Sequence, residues 1–315
     1  MIKIYVYPNL LEDERSYFRG KLATDCELIF NAGIDMADEK EQALGAEIII
    51  GNVPAAWVAE SRALKFLQLD SVGIDNFAAL DWSKLQNRVT ACNLAGFFSE
   101  PVAEEILSGI LMHYRCLPQL ATAKEDQQWR KDAIRPQKRL LAGAHVLVFG
   151  CGSIGRRVIE LLRPFDCRIT TLDMAEMTAH GKDGLVAAAR QCDILVATVP
   201  ESNSTRGILD KDVFDAVGNE GLFINCGRGG VVDEPSLLNA LRSGALGAAY
   251  LDVTCHEPLP NDSPMWICPR LFLSQHTGGG FHDENLAKID FHVANIRRYI
   301  NGEPVRNVID WTRGF

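Results

Sequence analysis

The sequence predicts an α/β protein made of two parallel-sheet units, and three observations carry that reading. Short β-branched runs alternate with helical patterns along nearly the whole chain, the pattern of a parallel sheet crossed by helices. The alternation breaks once, at a long polar stretch, and then restarts more strongly. A length of 315 residues lies above the ~250–300 at which a single core stops growing, and 47% hydrophobic composition is enough for two cores.

In chain order, Ile2–Tyr7, Glu47–Gly51, Phe66–Asp70 and Val89–Ala91 read as strands of the first unit. A long helix follows, with Ser99 as its predicted N-cap, Pro101 in its first turn, and Val102, Ala103, Ile106, Leu107, Ile110, Leu111 and Tyr114 at helical spacing. Ala123 to Arg139 has no clear apolar period and is expected to be a solvated connection anchored by Trp129. His145–Phe149, Cys167–Leu172, Asp193–Val199, Gly221–Asn225, Ala248–Val253 and Leu271–Ser274 then read as six buried strands, with helices between most of them, such as Ile154–Leu162 and Glu234–Ser243. Six strands with crossovers make a complete doubly wound sheet. Phe281 to Ile300 is amphipathic, with Leu286, Ile289, Val293, Ile296 and Ile300 on one face. If that helix packs on the first unit, the middle unit is an insertion.

Composition narrows the function. A net charge of −9 without a basic cluster argues against nucleic acid or an anionic membrane as partner, since both need concentrated Lys and Arg. No apolar stretch reaches the ~18–20 residues of a membrane span, and the first residues lack the apolar core of a secretory signal. Nine scattered cysteines with no CxxC pair are expected to be reduced thiols in a cytoplasmic protein, not a metal centre.

The segment Gly150-Cys151-Gly152-Ser153-Ile154-Gly155 follows one predicted strand and opens a helix. In such a turn the glycines give a tight bend, close backbone approach to a pyrophosphate and close helix packing, while the helix N-terminus offers unpaired N–H donors. Asp173 ends the next strand, about 20 residues beyond, where an acid accepts hydrogen bonds from an adenosine ribose diol. A carboxylate there repels a 2′-phosphate, and Met174 and Ala175 offer no cation in its place, so NAD is expected over NADP.

Ligands of an open α/β sheet bind beyond the carboxyl ends of its strands, and four such places hold polar residues. Thr198-Val199-Pro200 leads into a turn ending at Thr205, an expected wall of the cofactor cleft. Asn225-Cys226-Gly227-Arg228 sets an arginine among glycines, Asp252 to Pro258 offers Asp252, His256 and Glu257, and Gln275-His276-Thr277-Gly278 offers a second histidine. Hydride transfer at a hydroxy acid needs this set. An arginine binds the carboxylate and polarises the carbonyl, a histidine exchanges the proton, and an acid steadies the imidazolium. His256 and His282 compete with His276 for the proton role. His256, however, adjoins Glu257 in sequence and projects away from it, and His282 reads as a helix-start residue.

These motifs, with SVGIDNF (71–77), SEPVAEEI (99–106), INCGRGGVVDE (224–234), LDVTCHEPLP (251–260) and QHTGG (275–279), resemble the D-isomer-specific 2-hydroxyacid dehydrogenases over nearly the whole chain. The resemblance implies two doubly wound parallel-sheet domains: a Rossmann NAD-binding domain, 99–278, inserted in a flavodoxin-like substrate domain, 1–98 and 279–315. It implies catalysis in a cleft closing on hinges, and a homodimer formed through the cofactor domain. It assigns Arg228, Glu257 and His276 as the catalytic triad and Asp252 as the contact to the nicotinamide carboxamide. Cofactor contacts are expected at Gly150, Gly152, Ser153, Ile154, Gly155, Asp173, Val199, Pro200, Thr205, Cys226, Gly227, Arg228, Asp252, His276 and Gly278. The small 2-hydroxy or 2-keto acid is expected at Ser71, Val72, Gly73, Arg228 and His276.

Two residues depart from the family pattern: Gln275 stands where proline is common, and Gly280 is a third glycine. Glu257 stands where formate-oxidising relatives carry glutamine, which favours a true hydroxy-acid reaction. The competing expectation is a co-repressor-like regulatory protein that binds NAD(H) with little turnover.

Overall fold

The computed structural model describes residues 1–22, 26–33 and 35–311; the side chains at 174–176 and 178–180 lie outside that description, and with them the reading of Met174 and Ala175. The chain divides into two compact units, Met1–Phe97 with Phe281–Phe315, and Phe98–Gly280.

The first unit holds a five-stranded sheet of β1 (Ile2–Val6), β2 (Cys26–Phe30), β3 (Ile48–Ile50), β4 (Phe66–Gln68) and β5 (Thr90–Cys92), all parallel, in the order β2-β1-β3-β4-β5. Strands such as Ile48-Ile49-Ile50 are apolar at every position because both faces are covered. Successive side chains feed opposite layers. Tyr5, Ile49, Leu67 and Ala91 pack with Trp57, Phe77 and Trp82 on one face. Ile4, Val6, Ile48, Ile50 and Phe66 pack on the other with Phe18 and with Ile289, Val293 and Ile296 of the helix Glu284–Ile300. Each such side chain contributes roughly 1.5–3 kcal/mol of apolar burial, and this C-terminal helix supplies three of them to its face of the sheet. Ile300, expected on the same face, is instead exposed at the helix end.

β2 is the strand that sequence reading missed. It is an edge strand paired only with β1, and none of its residues is fully buried, so its apolar signal is diluted.

The second unit holds six parallel strands, β6 (His145–Phe149), β7 (Arg168–Leu172), β8 (Ile194–Ala197), β9 (Leu222–Asn225), β10 (Ala248–Leu251) and β11 (Leu271–Leu273), in the order β11-β10-β9-β8-β6-β7. One face packs on Val102, Ala103, Ile106 and Ile110 of the helix Ser99–Tyr114 and on Val158 and Leu162 of the helix Ser153–Leu162. The other packs on Val213, Phe214, Leu237 and Leu241 from two further helices. The predicted pair of doubly wound sheets is therefore present. In each sheet the first strand lies between the second and the third, which places a topological switch point, the crevice where ligands of such sheets bind, at β1/β3 and at β6/β8.

Two local expectations are corrected. Phe98, not Ser99, caps the helix Ser99–Tyr114; Ser99 is its first helical residue, and its hydroxyl oxygen is buried without a partner among the described residues. Trp129 anchors nothing within the chain, being 91% exposed, and the stretch around it forms the short helices Leu117–Glu125 and Lys131–Ile134, with Ala123, Ile134 and Cys116 buried together. The aromatic ring had stood for an anchor, but the local core is aliphatic.

Candidate active site

Gly150 leaves β6 with φ +107, in the left-handed region where glycine is favoured, and a Cβ there would stand 2.9 Å from Val199 N and from Thr198 Oγ1. Thr198 donates its hydroxyl to Gly150 O at 2.9 Å and pins the turn to the end of β8. A Cβ on Gly155 would stand 1.9 Å from Gly150 O, so the helix crosses the strand too closely for any side chain. Gly152 differs. Its φ is −69, which any residue adopts, and a Cβ there would meet nothing within 4 Å. The protein's own packing gives no reason for glycine at 152. The N–H groups of Gly152, Ser153, Ile154 and Gly155 have no acceptor among the described residues, as the first turn of a helix requires. Asp173 follows β7 directly and is part-buried, with its carbonyl accepting Met177 N at 2.9 Å.

Arg228, Glu257 and His276 follow β9, β10 and β11, three adjacent strands. His276 Nδ1 lies 2.5 Å from Glu257 Oε2, while Glu257 Oε1 accepts the Thr254 N–H at 2.9 Å, so the carboxylate is held at both oxygens. A carboxylate only accepts. Nδ1 must therefore carry the hydrogen, leaving Nε2, which has no partner among the described residues, as the nitrogen that gains and loses a proton. Half-buried Arg228 donates Nη1–H to Gly227 O at 2.9 Å and has no carboxylate partner among the described residues. Asn225, fully buried, braces this loop by donating to Arg228 O and accepting from Gly227 N, both at 3.0 Å.

Buried Asp252 organises the loop that carries His276. Its Oδ1 accepts Ser274 Oγ at 2.7 Å and Gly278 N at 3.1 Å, and its carbonyl accepts His276 N at 2.6 Å. Gln275 and His276 both take positive φ, +56 and +58, a costly conformation for side-chain-bearing residues. Proline, locked near −65°, cannot adopt the conformation of Gln275, which accounts for the family's usual residue being absent. His256 contributes only its carbonyl, to Thr254 Oγ1 at 2.8 Å. His282 lies just before Asp283, which caps the C-terminal helix.

Other expected contact residues also hold the protein's own structure. Thr205 is fully buried and uses its hydroxyl inside its own turn, on Pro200 O at 2.7 Å and on Ser202 N at 2.8 Å, and so shapes that loop. Packing by itself already requires glycine at 227 and 278, because a Cβ would stand 2.6 Å from Val199 O and 2.8 Å from Asp252 Oδ2 respectively. Val199 and Cys226 are buried and Pro200 is exposed. Burial, with Asp252 next, pushes the Cys226 thiol well above its usual range, and burial, then Glu234, pushes Cys255 up to about 12. Neither is a thiolate at neutral pH.

In the first unit, the loop Ser71-Val72-Gly73 follows β4. Its carbonyls are taken: Ser71 O by Leu94 N at 3.0 Å, Val72 O by Asn93 Nδ2 at 2.9 Å and Gly73 O by Ser71 Oγ at 2.7 Å. Asn52 Nδ2 donates to Ser71 Oγ at 3.0 Å. The N–H groups of Val72 and Gly73 have no acceptor among the described residues, and such groups suit an anion. The bracing roles of Asn93 and Thr198 escaped sequence reading because they act on backbone far away in sequence, and that of Asn225 because a side-chain turn two and three residues long leaves no mark in an apolar pattern. Strand-end position was the available signal. Among the described residues no cluster of His, Cys, Asp and Glu could hold a metal, and no helix is long and apolar enough to cross a membrane.

Residues 107–278 match the family model for D-isomer specific 2-hydroxyacid dehydrogenase, NAD binding domain. The chain is 29% identical to a hydroxyphenylpyruvate reductase of Plectranthus scutellarioides, covering 84% of this chain and 85% of that protein. It is 28% identical to a glyoxylate/hydroxypyruvate reductase A of Arabidopsis thaliana, over 82% and 83%. The solved 2-hydroxyacid dehydrogenase of Ketogulonicigenium vulgare Y25 superposes with a TM-score of 0.81 at 25% identity, covering 98% of this chain and 99% of that one.

Proposed function

Because the chain belongs to the D-isomer-specific 2-hydroxyacid dehydrogenase family, we propose that it transfers a hydride between NAD(H) and C2 of a small 2-keto or D-2-hydroxy acid, with His276 exchanging the proton. The observation that carries this reading is the His276–Glu257 pair at 2.5 Å, held at the carboxyl ends of adjacent strands in the sheet that also carries the glycine turn.

The turn fits a dinucleotide. Gly152 is glycine without a packing reason, and its neighbours' N–H groups point from a helix start, where a pyrophosphate binds. When bound, the nicotinamide supplies or accepts the hydride. Asp252 Oδ2, the oxygen left over from the loop contacts, is assigned to the carboxamide. In reduction, Arg228 holds the acid and draws electrons from its carbonyl, and the loop N–H groups of Val72 and Gly73 take the carboxylate. His276 Nε2–H then gives its proton to the new alkoxide while Glu257 stabilises the cationic ring. In oxidation the neutral Nε2 takes the hydroxyl proton. Met1–Phe97 with Phe281–Phe315 is thus assigned to substrate and Phe98–Gly280 to cofactor. The buried thiols Cys92, Cys116, Cys192, Cys226 and Cys268 suit the cytoplasm.

The test is NADH oxidation with glyoxylate, hydroxypyruvate, pyruvate and bulkier 2-keto acids. Turnover with at least one is expected; tight NADH binding without turnover on the whole panel would point to the regulatory alternative.

Asp173 carries the cofactor preference. NADH should exceed NADPH in kcat/KM by about 100-fold, the ratio given by roughly 3 kcal/mol of like-charge repulsion, and Asp173→Ala should narrow that gap. An unchanged ratio would remove Asp173 from the cofactor site.

We also assign a homodimer to the second unit. Exposed Trp129 borders a groove lined by Arg115, Lys124, Arg130, Lys131 and Arg135, a basic, aromatic surface in a chain of net charge −9. A tryptophan that is exposed in the single chain and becomes buried on association is a common interface anchor. Trp129→Asp should weaken the dimer at least about 30-fold by sedimentation equilibrium; an unchanged association constant would place the interface elsewhere.

A further inference from the structure

Asp70 stands one residue ahead of the loop Ser71-Val72-Gly73, so a negative charge adjoins the N–H groups assigned to an anion. Left alone, that carboxylate would repel the substrate acid by several-fold in affinity. The C-terminal helix answers it. His292 Nε2 lies 3.0 Å from Asp70 Oδ1, and Lys288 Nζ lies 3.4 Å from Asp70 Oδ2 and 2.7 Å from Glu284 Oε1. His292 is 3% exposed and Lys288 15%. A histidine on the buried face of this helix, among Ile289, Val293 and Ile296, is costly unless it is bonded. Asp70 is its partner, since Nδ1 is buried without one among the described residues. Burial works against the charge on Lys288, but Asp70 and Glu284 outweigh it and hold the amine above its ordinary value. The brace also reaches the loop mechanically: Asp70 N donates to Asn52 Oδ1 at 3.2 Å, and Asn52 Nδ2 donates to Ser71 Oγ at 3.0 Å.

We infer that Lys288 and His292 are positioning residues for Asp70, Lys288 answering its charge and His292 fixing its carboxylate by a hydrogen bond, so that the adjacent loop keeps its attraction for a substrate carboxylate. This inference rests on the reductase reading above.

The test uses the full chain, with glyoxylate as substrate and oxalate as a non-reacting carboxylate probe. Lys288→Met should raise the glyoxylate KM and the oxalate Kd about tenfold, with kcat within about twofold and the NADH Kd unchanged. Adding Asp70→Asn should restore both, because the charge next to the loop is then removed. His292→Gln, which keeps a donor toward Asp70, should behave as the parent, whereas His292→Leu should resemble Lys288→Met. Lys288→Gln replaces Lys288→Met should the latter fail to fold. An unchanged oxalate Kd in the lysine variant, or no rescue by Asp70→Asn, overturns the brace. A parent chain that reduces no keto acid overturns the reductase reading instead, and the oxalate titrations then judge the brace by themselves.

Discussion

Replacing His276 with alanine is expected to lower kcat by about 10²–10⁴-fold, the contribution a positioned acid–base group makes, while leaving NADH affinity at the parent value. The geometry dictates both halves of that outcome. Glu257 Oε2 occupies Nδ1, so Nε2 is the nitrogen that handles the proton. His256 offers only its carbonyl. Glu257→Gln should cost less than His276→Ala, because the one amide oxygen can still accept Nδ1–H, although its NH2 then faces the Thr254 N–H and it carries no charge to steady the imidazolium. Single-turnover kinetics under saturating NADH would separate chemistry from cofactor release. Full turnover by His276→Ala on the best substrate would end the assignment.

The second large effect should come from a pair of glycines that look equivalent in sequence. Gly155→Ala puts a methyl 1.9 Å from a backbone oxygen that cannot move without parting the helix from β6, and should cost about 1–3 kcal/mol of stability, read as a fall in Tm. Gly152→Ala meets no protein atom. It should cost only about 0.5–1 kcal/mol, the ordinary penalty for alanine at a helix N-cap, yet weaken NADH binding at least about 100-fold, because the methyl occupies the path of the diphosphate. Thermal melts and NADH fluorescence titration on both variants would test the contrast. A Gly152→Ala chain that binds NADH normally would refute the phosphate assignment of this turn.

Much of this was legible in the sequence because the chemistry is tied to strand ends. A doubly wound sheet delivers the residues after its strands to one edge, so finding six apolar runs was enough to nominate Arg228, Glu257 and His276. The edge strand β2 was lost because a half-covered strand has a weak apolar pattern, and Trp129 was misread because a large apolar ring on a polar segment has no local signature of which surface it serves. The role of Thr205 depended on a five-residue side-chain loop closure, and the positive φ of Gln275 and His276 on the hold of Asp252 from another strand. Neither is written in periodicity. The buried Asp70–His292 contact joins positions more than two hundred residues apart, beyond the reach of any local pattern.

The split first unit sets a schedule for synthesis. The face of its sheet formed by Ile4, Val6, Ile48, Ile50 and Phe66 is closed by the helix Glu284–Ile300, and that helix leaves the ribosome only after the whole second unit. The second unit can fold as it emerges, whereas the older first unit waits with an open hydrophobic layer. At bacterial-to-eukaryotic elongation rates the wait is on the order of ten to forty seconds. During that interval the nascent chain is a client for holding chaperones, and a chain cut short before Glu284 would carry a folded second unit attached to a first unit unable to close its core.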